Sequence, residues 1–92
     1  MTDPNPVVPV RDNRAAHRFE LEVEGQPGVL TYRRNADTLV LLHTEVAPPI
    51  RGRHLGDALV KAGLDAARAE GLRIVAVCPF VQAYLRKHSN HA

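Results

Sequence analysis

From His17 to Glu24 the chain alternates, with Phe19, Leu21 and Val23 on one face and Glu20, Glu22 and Glu24 on the other. Such alternation predicts a half-buried strand. Gly25-Gln26-Pro27-Gly28 reads as a turn, and Val29 to Arg34 as a second, antiparallel strand with Leu30 and Tyr32 on one face. After the turn Asn35-Ala36-Asp37, Thr38 to Val46 predicts a third strand. Its unbroken centre, Leu39-Val40-Leu41-Leu42, predicts a central strand covered on both faces. Ala47-Pro48-Pro49-Ile50 ends it, because neither proline donates to a ladder. From Leu55 the spacing lengthens to three and four residues through Leu59, Ala62, Ala66 and Ala67. That predicts a helix to about Glu70, with Gly71 as its C-terminal stop. Leu72 to Val77 predicts a fourth strand, closed by Cys78-Pro79, and Phe80 to His88 a short last helix with Val81, Tyr84 and Leu85 on one side.

The order is therefore β-β-β-α-β-α, an α/β chain with a mixed sheet. A right-handed crossover through the long helix makes the third and fourth strands parallel. Residues 1–14, with Pro4, Pro6 and Pro9, predict a flexible leader or edge segment, and residues 15–92 one compact domain.

Composition narrows the function classes. Ninety-two residues allow one core. A core of that size has little stability margin, so oligomerisation or a bound ligand would help. No apolar run approaches the ~18 residues of a membrane span, and the first residues lack the pattern of a signal peptide. The lone Cys78 cannot form an internal disulfide, which fits a reducing, cytoplasmic setting. Twelve basic against ten acidic residues give only +2, and Phe19, Tyr32, Phe80 and Tyr84 are the only aromatics of the Phe, Tyr and Trp class. Both features argue against a general nucleic-acid binder. His88 and His91 stand apart from any further ligand at metal-site spacing, so no metal is expected.

The chemistry concentrates at Arg51-Gly52-Arg53-His54-Leu55-Gly56, where a strand exit feeds a helix N-terminus through a basic, glycine-bearing turn. Such a turn offers backbone N–H groups and a favourable dipole to a phosphate, and the two arginines add mobile positive charge. Proton-handling groups lie nearby. Glu45 sits at the strand exit, His43 two residues earlier on the same face, and Tyr84 on the last helix. Cys78 ends the fourth strand, where a neighbouring His43 would raise its thiolate fraction. Each of the four also has a plain structural role open to it, as an outward strand residue or as core packing.

These residues carry a resemblance to the GNAT superfamily of N-acetyltransferases, and among them to the very small YjdJ-like, N-acetyltransferase domain-containing members. It spans residues 10–90 and rests on Val10-Arg11-Asp12-Asn13, Tyr32-Arg33, His43-Thr44-Glu45-Val46, the Arg51–Gly56 turn, Leu59-Val60, Ala67-Arg68 and Cys78-Pro79-Phe80-Val81 with Tyr84-Leu85. The superfamily's pyrophosphate loop reads Gln/Arg-x-x-Gly-x-Gly/Ala; Arg51 fills its first position and Gly56 its last, while His54 replaces the inner glycine.

The resemblance implies a minimal GNAT fold and acetyl transfer from acetyl-CoA to an amine. It implies catalytic roles for Cys78, His43, Glu45 and Tyr84, with Tyr84 returning a proton to the leaving thiolate. It implies cofactor contacts at Glu45, Val46, Arg51, Gly52, Arg53, His54, Leu55, Gly56, Asp57, Phe80 and Tyr84. Transfer is expected to be direct, with an acetyl-Cys78 route as the variant. Larger members place helices between their first two strands, whereas only Gly25–Gly28 stands here. The acceptor side is thus expected to be shallow, or completed by a partner, in a monomer or weak homodimer. Two other readings stand beside this one. One is a non-catalytic acyl-CoA-binding or sensing module. The other is an adaptor using Arg51, Arg53, Arg86 and Lys87 for phosphates.

Overall fold

The computed structural model describes residues 8–88. The first half of the expected leader, including Pro4 and Pro6, lies outside the described residues, as does His91. Five strands form one sheet in chain order: β1 (Arg11–Asn13), β2 (Arg18–Val23), β3 (Gln26–Arg34), β4 (Thr38–Val46) and β5 (Arg73–Ala76). Neighbours are antiparallel except β4 and β5, which run parallel across helix α1 (Leu55–Glu70). Helix α2 (Pro79–His88) follows β5, and a 3-10 turn, Pro48–Ile50, lies between β4 and α1.

The mixed sheet and parallel crossover match the sequence pattern, but there is one strand more than expected. Arg11–Asn13, inside the expected leader or edge segment, pairs with Arg18–Glu20. It is fastened by side chains that alternation does not reveal. Glu20 accepts from Arg11 (2.7 Å), Asn13 (3.0 Å) and Arg18. The Tyr32 hydroxyl donates to Asp12 at 2.5 Å, and Arg34 joins Asp12 (3.1 Å) to Glu70 at the end of α1. The turn between β2 and β3 is also tighter than expected. Glu24 (φ +55°) and Gly25 (φ +75°) make a two-residue loop with Val23 opposite Gln26, and two left-handed residues match the strand twist of a hairpin. Pro27 is tolerated inside β3 because its carbonyl, accepting from the Ala47 N–H at 3.0 Å, lies just past the end of β4.

The core lies between the sheet and the helices. Phe19, Leu21, Leu30, Tyr32, Leu39 and Leu41 from the strands meet Leu55, Leu59, Val60 and Ala67 of α1, with Cys78 and Val81 beside them. Gly63 lets α1 approach, since a Cβ there would touch Leu41, Phe19 and Leu30 at about 3.5 Å. Both helices pack on this one face. The apolar run of β4 is therefore not covered on both faces as expected: Leu39 and Leu41 are buried, while Val40 and Leu42 are only half-buried. On the strand beside them Val75 is 45% exposed, and Val77, just past its end, is 53% exposed.

Candidate active site

A β-bulge creates the site. Thr31 pairs with His43 but Tyr32 with Leu41, so Leu42 is an extra residue on β4. Such an insertion bends its strand and breaks the local ladder. Pairing with β5 stops at the same point, where the N–H groups of Val77 (3.0 Å) and Cys78 (3.1 Å) both donate to the Leu41 carbonyl. Beyond Leu41 the two strands part. A cleft of about 630 Å³ opens there, floored by His43 to Val46, walled by Phe80 and Lys87 of α2, and closed by the Arg51–Asp57 turn.

The turn is shaped by two left-handed residues, Gly52 (φ +82°) and His54 (φ +61°). His54 is the N-cap of α1, and no side chain caps that helix. The first-turn N–H groups, which have no intrahelical partner, therefore have no side-chain acceptor. Asp57 stands 3.6 Å from the imidazole. The arginines are held in place: Arg51 donates to the Val46 carbonyl at 2.9 Å, and Arg53 grips Glu24 through two bonds (3.0 and 3.4 Å). Mobile charge, as the sequence suggests, is thus replaced by two anchored guanidiniums. The Glu24 carboxyl is held below its usual range by Arg53. Gly56 has a packing reason of its own, because a Cβ there would meet the Phe80 ring at 2.7 Å.

His43 and Glu45 share the helix-free face as strand parity requires, 3.8 Å apart and about two-thirds exposed. Cys78 is not their neighbour. It faces the core side, where Thr44 points, and the Thr44 hydroxyl lies 3.5 Å from its sulfur. The expected Cys78–His43 pair fails because adjacent residues 43 and 44 project to opposite faces. Burial pushes the thiol up, but hydrogen bonds from the Thr44 hydroxyl and from the N–H groups of Val81, Phe80 and Thr44 outweigh it and leave the thiol below its ordinary value. Tyr84 lies along α1 and stacks on His88 at 4.2 Å. Burial raises its hydroxyl, as do the charges of Asp57 and, in smaller measure, Asp65, against Lys61.

The structure thus gathers His43, Glu45, Val46, Arg51, Gly52, His54, Leu55, Gly56, Asp57 and Phe80 around one cleft, and leaves Arg53, Cys78 and Tyr84 out of its lining. Sequence reasoning missed Thr44 and Ile50, and named Lys87 only in the adaptor reading, not as a wall of this cleft. Lys87 was readable in principle, since it falls seven residues after Phe80 on the same helix face.

Comparison with known proteins agrees with this geometry. The family model for GCN5-related N-acetyl-transferase matches residues 18–92. Protein NATD1 of Xenopus tropicalis is 30% identical over 89 residues, covering 94% of this chain and 82% of that protein. Protein NATD1 of Gallus gallus is 31% identical over 84 residues, covering 88% and 76%, and that of Homo sapiens 32% over 82 residues, covering 86% and 73%. With its parallel pair parting above a helix N-terminus and the family model spanning most of its length, the chain belongs to the GCN5-related N-acetyltransferase family.

Proposed function

We propose that the protein is an acetyl-CoA-dependent N-acetyltransferase acting on an amine through the β4/β5 cleft. The observation that carries this reading is the uncapped N-terminus of α1, turned with Gly52 into a cleft whose floor is the strand β4 beyond its last bond to β5. The residues fit a CoA-type ligand. Free first-turn N–H groups suit a pyrophosphate, and an unpaired strand edge suits an amide-bearing arm. Bound there, acetyl-CoA would supply a thioester carbonyl for attack.

Glu45 and His43, adjacent and exposed at the cleft, are placed to take the proton of an incoming amine, directly or through water. In direct transfer the amine nitrogen forms the new C–N bond, the C–S bond breaks, and the thiolate takes up a proton. Tyr84 remains the proposed donor for that step only if it turns from α1. In the acetyl-Cys78 route the Cys78 thiolate attacks the thioester carbonyl and the CoA thiolate leaves; the amine then attacks the new thioester, forming the C–N bond as the bond to the Cys78 sulfur breaks. Its depressed thiol supports that route, and its 4% exposure opposes it.

The test is turnover with acetyl-CoA on a panel of amines, with intact-mass analysis after acid quench. Amine-dependent release of CoA supports the enzyme. An adduct lost in Cys78→Ala supports the covalent route. Calorimetric binding without product on any amine would favour a sensing module, a reading that gains weight from His54 in place of glycine and from Tyr84 lying outside the cleft lining.

A further inference from the structure

The outer edge of β5 carries a row of backbone groups that complements itself. The Arg73 N–H donates to Asp37 (2.8 Å) and the Val77 N–H to Leu41 (3.0 Å), so residues 73, 75 and 77 turn their polar groups toward β4. By alternation, and by the planarity of each peptide, Ile74 and Ala76 and the Leu72 carbonyl face outward. Two outward groups are already satisfied. The Leu72 N–H donates to Ala67 at 2.8 Å, closing the end of α1, and the Ala76 carbonyl accepts from the Gln82 side chain at 2.9 Å. Four remain without a strand partner among the described residues: the Leu72 carbonyl, the Ile74 N–H and carbonyl, and the Ala76 N–H.

We propose that β5 pairs antiparallel with β5 of a second copy of this chain, about a two-fold axis at Ile74. In that register the two Ile74 residues exchange both hydrogen bonds, and each Ala76 N–H meets the Leu72 carbonyl of the other copy. The reciprocal groups, the Leu72 N–H and the Ala76 carbonyl, are the two already satisfied within each chain. An axis at Ala76 would place a carbonyl held by Gln82 at the centre, and an axis at Leu72 an N–H held by Ala67. Only the axis at Ile74 uses all four free groups. This match of donors and acceptors under a two-fold selects a second copy over an unrelated strand. Side chains agree. Val75, 45% exposed, comes opposite Arg73 of the second copy as a close, non-hydrogen-bonded pair, and the half-buried Leu72 and Ile74 are covered on the other face. So short an edge buries less than the ~1,200–2,000 Å² of a stable complex, so the pair forms in a concentration-dependent equilibrium.

Sedimentation velocity over roughly 10 to 500 µM tests this. The wild type should move from monomer to dimer within that range. Val75→Lys sets a cation opposite Arg73 of the second copy and should abolish the dimer. Val75→Glu sets an anion there and should tighten it by about threefold or more. Both substitutions fall on an exposed side chain, and their thermal melts should match that of the wild type. Amide hydrogen exchange needs no variant: Ile74 and Ala76 should slow as the protein is concentrated. A wild type that stays monomeric, two variants that shift the equilibrium the same way, or Ile74 and Ala76 exchange unchanged by concentration would overturn the proposal and leave the edge to another partner.

Discussion

Gly56 lies directly beneath the Phe80 ring, with the position of an added Cβ only 2.7 Å from the ring's outer carbon. The contact joins the first turn of α1 to the start of α2, the two walls of the cleft. A residue that a phosphate-loop motif would explain by ligand approach is thus also fixed by packing.

Gly56→Ala should therefore destabilise the fold by about 1–3 kcal/mol through overpacking. Phe80→Ala in the same chain should relieve part of that loss, so the pair will be non-additive in a double-mutant cycle read by denaturant unfolding. Strict additivity would mean that the ring does not press on residue 56.

His54 holds a left-handed backbone with a full side chain, at a cost of about 1 kcal/mol. His54→Gly should raise the thermal midpoint, because relief of that strain exceeds the added freedom of the unfolded chain. It should not weaken CoA binding, since the loop keeps its shape. A lower midpoint would place the stabilising contribution in the imidazole's contact with Asp57 instead.

Cys78 should alkylate with a pH midpoint below that of an ordinary thiol, slowly because it is buried. Thr44→Val keeps the shape and removes one donor to sulfur. The midpoint of the alkylation profile should then rise. An unmoved midpoint would assign the depression to the backbone N–H groups alone.

Glu20 anchors β1. Its carboxyl is lowered from 4.5 to about 2, chiefly by hydrogen bonds from Arg11, Arg18 and Asn13. A depressed carboxylate stabilises the fold fully above the unfolded value of 4.5, and that contribution is lost as pH falls toward 2. Thermal midpoints should fall across that window, and Glu20→Gln should start lower at neutral pH and flatten the fall. An equal slope in the variant would contradict the anchoring role.

The parts legible in the sequence were those set by local periodicity. Phe19 and Leu21 declare β2, Leu55 and Leu59 declare α1, and Gly71 stops it with φ +68°. What escaped depends on partners distant in sequence. The bulge at Leu42 exists only against β3, and it falls where β4 leaves β5. Val40 and Leu42 looked like core because a run of apolar residues does not say whether a second layer of helices exists. Cys78 was expected beside His43, but the parity of the strand hands it to Thr44. Arg51 and Arg53 announced positive charge at the turn, yet their acceptors, Val46 and Glu24, became visible only once the hairpin of β2 and β3 was folded against it.

The proposed chemistry depends above all on the cleft between β4 and β5 binding a CoA-type ligand at the N-terminus of α1. Amide-resolved NMR titration with CoA tests it most directly. Saturable shifts should concentrate at Gly52 to Asp57 and at Thr44 to Val46, with little change near Arg34 and Glu70 at the far end of α1. Absence of saturable shifts, or shifts centred on that far end, would contradict it.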